Sequence, residues 1–409
     1  MAENATRRAW TDWALWLALR LALVGIIVGL IPWPEQVNDL TIYADWVAES
    51  LRYGQFPTDQ MWQYPPLAGP VFVLGAWLPG DRLGFVTLFL GFDAAIMAML
   101  TRQARRTARR GGTRLWALLP LVVGPLLLAR FDVVPTAFAV AAVLMAARPV
   151  ASGALAAAGA WVKVWPLLVL TSLRRRDLPR GVAGALAASA VIAGVLLVRS
   201  EDPLSFLGGQ RDRGLQIESL AAWPFLIARL FGAPVEVVYR YGAHEVDASG
   251  VDMVARSVIV LTLLLLGLVA VQRLRGALDA VSGADVALAT VLFTVATSRV
   301  FSGQYFIWLL ALAAVTLGDP ASRMRRTTVL LIAAGLATHL VYPWLYSALL
   351  DGNPVAVAVQ TVRVGLTAAA TVCALAVLLR PAGSAAQASG SGTASGSPPS
   401  SMTRNRCAE

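Results

Sequence analysis

A chain of 409 residues in which 57% of side chains are hydrophobic and only 14% charged is not a soluble globular protein, where about a quarter would carry charge. The apolar content excludes disorder for all but a short tail, and continuous rather than alternating apolar runs exclude a membrane β-barrel. The net charge of +10, from 34 basic residues of which only Lys163 is a lysine, reads as the basic excess that retains loops in the cytoplasm, not as a nucleic-acid surface.

The pattern predicts an all-α, polytopic membrane protein of about 10–12 transmembrane helices. Full spans fall near 13–33, 83–101, 115–129, 132–147, 180–199, 252–272, 284–299, 303–318, 326–345 and 355–379. The first follows Arg7 and Arg8 and lacks a small-residue cleavage site, so it reads as an uncleaved helix. Two apolar stretches, 66–78 and 151–173, are too short or too interrupted for simple crossings.

Sidedness settles both. The basic segments 101–114, 174–180, 272–275 and 323–326 belong in the cytoplasm. With the N-terminus also inside, 66–78 dips without crossing, and 151–173 is a hairpin with Lys163 near its apex. Irregular backbone at that depth needs protein or a water-filled cavity around it. The outer segments are then 32–82, 130–132, 199–251, 298–303 and a turn at Asp351. Both termini face the cytoplasm; residues 1–381 form one domain and 382–409, rich in Gly, Ser, Ala and Pro, a disordered tail. Cys373, Cys407, His244 and His339 form no metal-ligand spacing, so no metal or other cofactor is expected.

The chemistry-bearing residues gather on the predicted outer side. The first outer segment carries Glu35, Asp39, Asp45, Glu49 and Asp59 against Arg52 alone. Leu40, Tyr43, Val47 and Leu51 recur at helical spacing, which predicts an amphipathic surface helix with Asp39 immediately before it. Asp39 and Asp45 would then lie on different faces, and Asp39 reads either as a cap or as a base. Tyr64 opens "YPPL", with Pro65 holding it extended. Arg130 and Asp132 join two apolar runs in "RFD". Lys163, alone among apolar residues, must pair, lose its proton or face water; Asp132 or an anionic ligand would satisfy it. Arg211, Asp212, Arg213 and Glu218 cluster before an amphipathic helix, and arginine pairs suit phosphate. Arg299, Ser302, Gln304, Tyr305 and Trp308 crowd an outer mouth between two helices. Asp93, inside a span, reads as a structural pair, His339 as a core residue, and His244 as an outer-loop residue that could meet sugar.

In order, "DLTIY" (39–43), Gly54, Pro57, "YPP" (64–66), "RFD" (130–132), "VKVWP" (162–166), "RGLQIESL" (213–220) and "SGQYFIWLL" (302–310) resemble the GT-C superfamily of membrane glycosyltransferases. More narrowly the chain resembles glycosyltransferase family 87, polyprenol-phosphate-mannose-dependent α-mannosyltransferases. The resemblance spans most of residues 10–380, with Gly303 where relatives often have proline. It implies a polyprenyl-phosphate sugar as donor, a cell-envelope glycolipid or polysaccharide as acceptor, and a site on the outer face of the cytoplasmic membrane. Asp39 takes the place of the acidic base that opens the first outer loop. Tyr43, Asp45, Tyr64, Arg130, Asp132, Lys163, Arg211, Arg213, Glu218, Gln304, Tyr305 and Trp308 become candidates for substrate binding. Arabinofuranosyltransferases share the family, so polyprenyl-phosphate arabinose is the alternative donor. A lipid-linked-sugar flippase is the alternative of another class, although its polar residues would be expected in broken helices at the bilayer midplane; a non-catalytic scaffold is the third.

Overall fold

The computed structural model describes residues 2–33, 39–57, 61–199 and 213–380. The expected tail, Asp59, Arg211 and Asp212 lie outside the described residues. The helices run α1 Ala2–Ile27, α2 Asp39–Glu49, α3 Ala68–Trp77, α4 Arg82–Thr107, α5 Gly111–Leu118, α6 Pro120–Val123, α7 Leu126–Ala129, α8 Val133–Leu144 and α9 Pro149–Val162. They continue as α10 Leu178–Arg199, α11 Trp223–Leu230, α12 Val251–Leu274, α13 Gly283–Ala296, α14 Tyr305–Gly318, α15 Arg325–His339, α16 Tyr346–Leu350 and α17 Pro354–Leu379.

Among the described residues, six helical segments, lying in α1, α4, α10, α12, the stretch Arg325–Trp344 and α17, are long and apolar enough to cross a membrane. The shorter apolar helices divide by position. In α13 and α14, of 14 residues each, nearly every side chain is buried, and α14 packs on α4, α5, α8, α13 and α15. Long α12 instead turns Leu261, Leu263 and Leu264 outward. A helix facing lipid must satisfy its whole backbone over about 30 Å of hydrocarbon. One enclosed by protein can stop at about 21 Å and continue as loop.

The expected span 115–129 is three short pieces, α5 to α7. Pro120 and Pro125 each remove an N–H from the helical ladder, and Gly124 sits at φ 58°, ψ −150°, a conformation open to glycine. A Cβ at Gly124 would also lie 2.9 Å from the His339 ring, which packs edge-on to Trp33. The stretch 151–173 is the expected hairpin. α9 ends at Lys163, extended at φ −159°, and a 3-10 segment Trp165–Ser172 packs back beside α9 and α8. The stretch 66–78 contains the ten-residue α3, which folds onto α4. Their approach is closest at Gly84, where a Cβ would meet the Gly75 carbonyl oxygen at 2.4 Å.

A small sheet is the one architectural element the apolar pattern did not suggest. β1 Leu215–Gln216 and β2 Glu236–Arg240 flank β3 Ala243–Asp247, all antiparallel. The register pairs Arg240 with Ala243, so Tyr241 and Gly242 alone form the hairpin turn, both at positive φ. That is the turn whose twist matches antiparallel strands.

Two charged side chains inside spans are fixed internally. Arg20 of α1 grips Asp93 of α4 with two bonds of 2.9 Å and the carbonyls of Trp116 and Ala117, while Trp16 donates to Asp93 at 2.6 Å. This is the structural pairing expected of Asp93. Arg363 of α17, fully buried, donates to the carbonyls of Glu218 (2.6 Å) and Phe301 (2.9 Å) and to Thr338 Oγ1. It ties the segments around 218 and 301 to the bundle.

Candidate active site

The "RFD" tripeptide is the pivot of the site. Arg130 is extended and Asp132 opens α8, so two opposite charges flank a buried Phe131. Phe131 packs edge-on against Tyr64 at 4.8 Å and Phe72 at 5.2 Å, and Tyr43 of α2 stacks on Phe72 at 4.3 Å. This aromatic wall fixes α2 and the Tyr64 loop against α3 and α8. Leu40, Tyr43, Trp46 and Val47 form the buried face of α2, as the spacing predicts, with Trp46 added.

Two ion pairs sit on that wall. Arg130 Nε–H donates to Asp39 Oδ2 at 3.1 Å, both side chains about one-fifth exposed. Asp39 lies within the first turn of α2 rather than before it. Lys163 donates to Asp132 Oδ1 at 2.6 Å, and the Trp308 indole N–H donates to the same oxygen at 2.8 Å. Asp132 is 1% exposed and Lys163 16%. The sequence left Lys163 a choice between a carboxylate and an anionic ligand; its carboxylate is Asp132.

Lys163 Nζ also lies between 5.0 and 5.8 Å from the ring centres of Tyr64, Phe131, Tyr305 and Trp308. Tyr305 stacks on Trp308 at 3.9 Å, and Trp165 stacks on Trp308 at 5.0 Å. Burial, with Asp39 and Asp132 nearby, pushes the Tyr64 phenol above its ordinary value, so it stays a neutral donor. The site is thus an aromatic box with a sealed ion pair at its base and a more open pair at its edge.

The remaining candidates divide. Gln304, half-buried, stands at the start of α14 immediately before Tyr305. Arg213 donates to the Tyr241 carbonyl at 2.8 Å and lies within electrostatic range of Tyr305; Gln63 donates to that same carbonyl. Glu218 is buried beneath Arg363 and accepts from Gln216, which also bonds Ser302 and the Phe301 N–H. "RGLQIESL" and "SGQYFIWLL" are therefore knitted to each other, and Glu218 sits in that seam. Asp45 is on the exposed face of α2. His244 contacts Tyr346 at 3.3 Å, in the sheet.

Phe131, Trp165 and Arg363 were not singled out from sequence. The first two sit inside quoted motifs and merely read as apolar filler. Arg363, a lone charge in an apolar run, carried the same signal as Lys163 and called for the same question.

The family model described as glycosyltransferase family 87 matches residues 62–298. The chain belongs to glycosyltransferase family 87. No curated protein and no solved structure matches it. As a family 87 member with six helices able to span a membrane, it is a membrane glycosyltransferase, with the bilayer, a sugar donor and an acceptor as its partners. The family 87 match contains Tyr64, Arg130, Asp132, Lys163, Arg213 and Glu218. Asp39, Tyr43, Tyr305 and Trp308 lie outside it and reach the box through the contacts above; Asp45, exposed on α2, and Gln304, which precedes Tyr305, also lie outside it.

Proposed function

We propose that the chain transfers one sugar, mannose in the favoured reading, from a polyprenyl-phosphate donor to a hydroxyl of a cell-envelope glycolipid or polysaccharide, at the outer face of the cytoplasmic membrane. The observation that carries the mechanism is the contrast between two carboxylates. Asp132 is sealed and committed to Lys163 and Trp308, whereas Asp39 keeps 22% exposure and is held by Arg130 through one oxygen. Asp39 accepts the proton of the acceptor hydroxyl as that oxygen attacks the anomeric carbon. The bond from that carbon to the phosphate oxygen breaks, and the phosphate leaves with the electron pair.

Phosphate needs no general acid, but its charge needs stabilising. Arg130 engages Asp39 through Nε, which leaves its other N–H groups for phosphate oxygens. Lys163 adds positive potential from within the box, tempered by Asp132. Arg211 and Arg213 are further phosphate contacts in this reading, and Tyr64, Gln304, Tyr305 and Trp308 line the sugar and acceptor cleft. A single displacement converts a β-linked donor to an α product.

The test is transfer by purified protein in lipid, with radiolabelled polyprenyl-phosphate mannose and a membrane glycolipid extract, beside Asp39→Asn. Loss of about 10²- to 10⁴-fold with donor binding retained is expected. Full activity in the variant would remove Asp39 from the mechanism. Transfer from polyprenyl-phosphate arabinose alone would replace only the sugar. Movement of labelled donor across vesicles without transfer would replace the enzyme by a transporter.

A further inference from the structure

β2 and β3 place Tyr239 directly opposite His244, at the end of the sheet beside the Tyr241–Gly242 turn. Cross-strand neighbours on one face touch, and these two rings meet edge-on at 5.1 Å. The contact continues beyond the sheet. The His244 ring meets Tyr346 of α16 at 5.6 Å, with Nδ1 3.3 Å from the phenol oxygen, and Tyr346 meets Tyr342 at 5.4 Å. Tyr342 in turn lies within electrostatic range of Arg130, the guanidinium that holds Asp39. One row of rings therefore leads from the edge of the sheet to the more open ion pair of the box.

The row is neither core nor membrane anchor. Tyr239 is 63% exposed, and His244, Tyr346 and Tyr342 are half-buried. Aromatic residues of an interfacial belt act singly at headgroup depth, whereas these four touch in succession and carry three phenols and an imidazole. Burial holds His244 below its ordinary value, so at neutral pH the ring is uncharged, one nitrogen donating and the other accepting. Because neighbouring rings meet edge-on, apolar faces alternate with polar edges along the row. A sugar chain has the matching surface, C–H faces rimmed by hydroxyls. An acyl chain would cover the phenols and the imidazole without giving them a partner, which is unfavourable.

The sheet end of the row is fixed before any ligand arrives. The Tyr241 carbonyl accepts from Gln63, next to Tyr64, and from Arg213, so the turn is tied to the wall of the box. Gly242, at φ 73°, lies against the same loop, where a Cβ would come within 3.3 Å of Met61 Cγ. A surface already ordered binds without the entropy cost of ordering it.

We propose that this row is a glycan-binding shelf on which the sugars preceding the accepting one lie, so that the acceptor is a chain of several sugars rather than a single-sugar lipid. Its place in the reaction rests on the sugar-transfer reading above; its binding test does not. The full purified chain in neutral detergent is titrated with a soluble α-linked mannopentaose and, separately, with an α-linked arabinofuranose pentasaccharide, read by saturation-transfer NMR. Saturable binding of at least one is expected. Tyr239→Ala, at an exposed ring and so harmless to the fold, weakens it about fivefold, and Tyr346→Phe, which removes the hydroxyl facing His244, weakens it about threefold. Phe231→Ala, 86% exposed elsewhere on the same outer segment, leaves it unchanged. In transfer assays Tyr239→Ala raises KM about fivefold more for a many-sugar acceptor than for a one-sugar octyl glycoside, which does not reach the row. Binding with this dependence but no transfer would keep the shelf and remove the transferase reading. No saturable binding of either pentasaccharide, equal weakening by Phe231→Ala, or an equal rise in KM for long and short acceptors overturns the proposal.

Discussion

Asp39 and Asp132 are chemically identical and differ in surroundings, and the proposed mechanism gives them different work for that reason. The Lys163–Asp132 pair is enclosed by Phe131, Trp308 and Tyr305, where each charge depends on its partner because water cannot replace it. Asp132→Asn strands the Lys163 ammonium and is expected to cost about 3 kcal/mol, the low end for a broken buried pair because Lys163 keeps 16% exposure. The double variant Asp132→Asn with Lys163→Met removes both charges and recovers part of that loss. Asp39→Asn breaks a half-open pair and costs under about 1 kcal/mol. Chemical unfolding in mixed micelles ranks the three; a double variant no more stable than Asp132→Asn would show that the pair is not what holds the box. Sequence named Asp132 as one of two ways to satisfy Lys163 and left the choice open; Asp132 lies 31 positions away and takes the ammonium. The Arg130–Asp39 pair, 91 positions apart, it did not suggest.

At the scale of elements, what was legible was what hydropathy and charge control directly. The six long apolar helices, the α9 hairpin turning at Lys163 and the short α3 all follow from length, proline and basic flanks. Two things were not legible. The run 115–129 is apolar throughout, so hydropathy reads one helix, while Pro120, Gly124 and Pro125 divide it. The sheet has strands of at most five residues, too short for a periodicity, joined by a Tyr–Gly turn. Close helix approach is equally hidden until structure shows which glycine matters. At Gly84 a Cβ would press on the carbonyl oxygens of Gly75 (2.4 Å) and Leu78 (2.6 Å), backbone that cannot rotate away. Gly84→Ala is therefore expected to push α3 from α4 at a cost of about 1–3 kcal/mol. Because α3 follows the Tyr64 loop, a weakened KM for donor accompanies the lower melting temperature. Melting and kinetics together check this: a normal melting temperature would mean that α3 adjusts freely.

The whole chain has two chemically distinct ends. Segments expected outside converge at one: Arg130 on Asp39, Gln63 on the Tyr241 carbonyl, Gln216 on Ser302, and Arg229 on the Leu350 carbonyl beside Asp351. Segments expected inside converge at the other: the Arg175 N–H on Asp279, Arg273 on the Thr171 carbonyl, the Arg323 N–H on Asp285, and Gln103 on the Val315 carbonyl. Between them α13 and α14 are mostly apolar and nearly all buried, interrupted by Asp285, Thr290, Thr294 and Thr316, whereas the charged groups gather at the two ends, which favours chemistry at one surface over passage through the bundle. By the positive-inside rule the arginine-rich end is expected in the cytoplasm and the Asp39 end outside. This is testable with Asp45→Cys and Arg106→Cys, exposed positions at the two ends, in a chain with Cys373 and Cys407 replaced by serine. A membrane-impermeant maleimide added to intact spheroplasts is expected to label the Asp45 position at once and the Arg106 position only after permeabilisation. The reverse pattern would put the site in the cytoplasm, where a nucleotide sugar, not a lipid-linked one, would be the donor within reach.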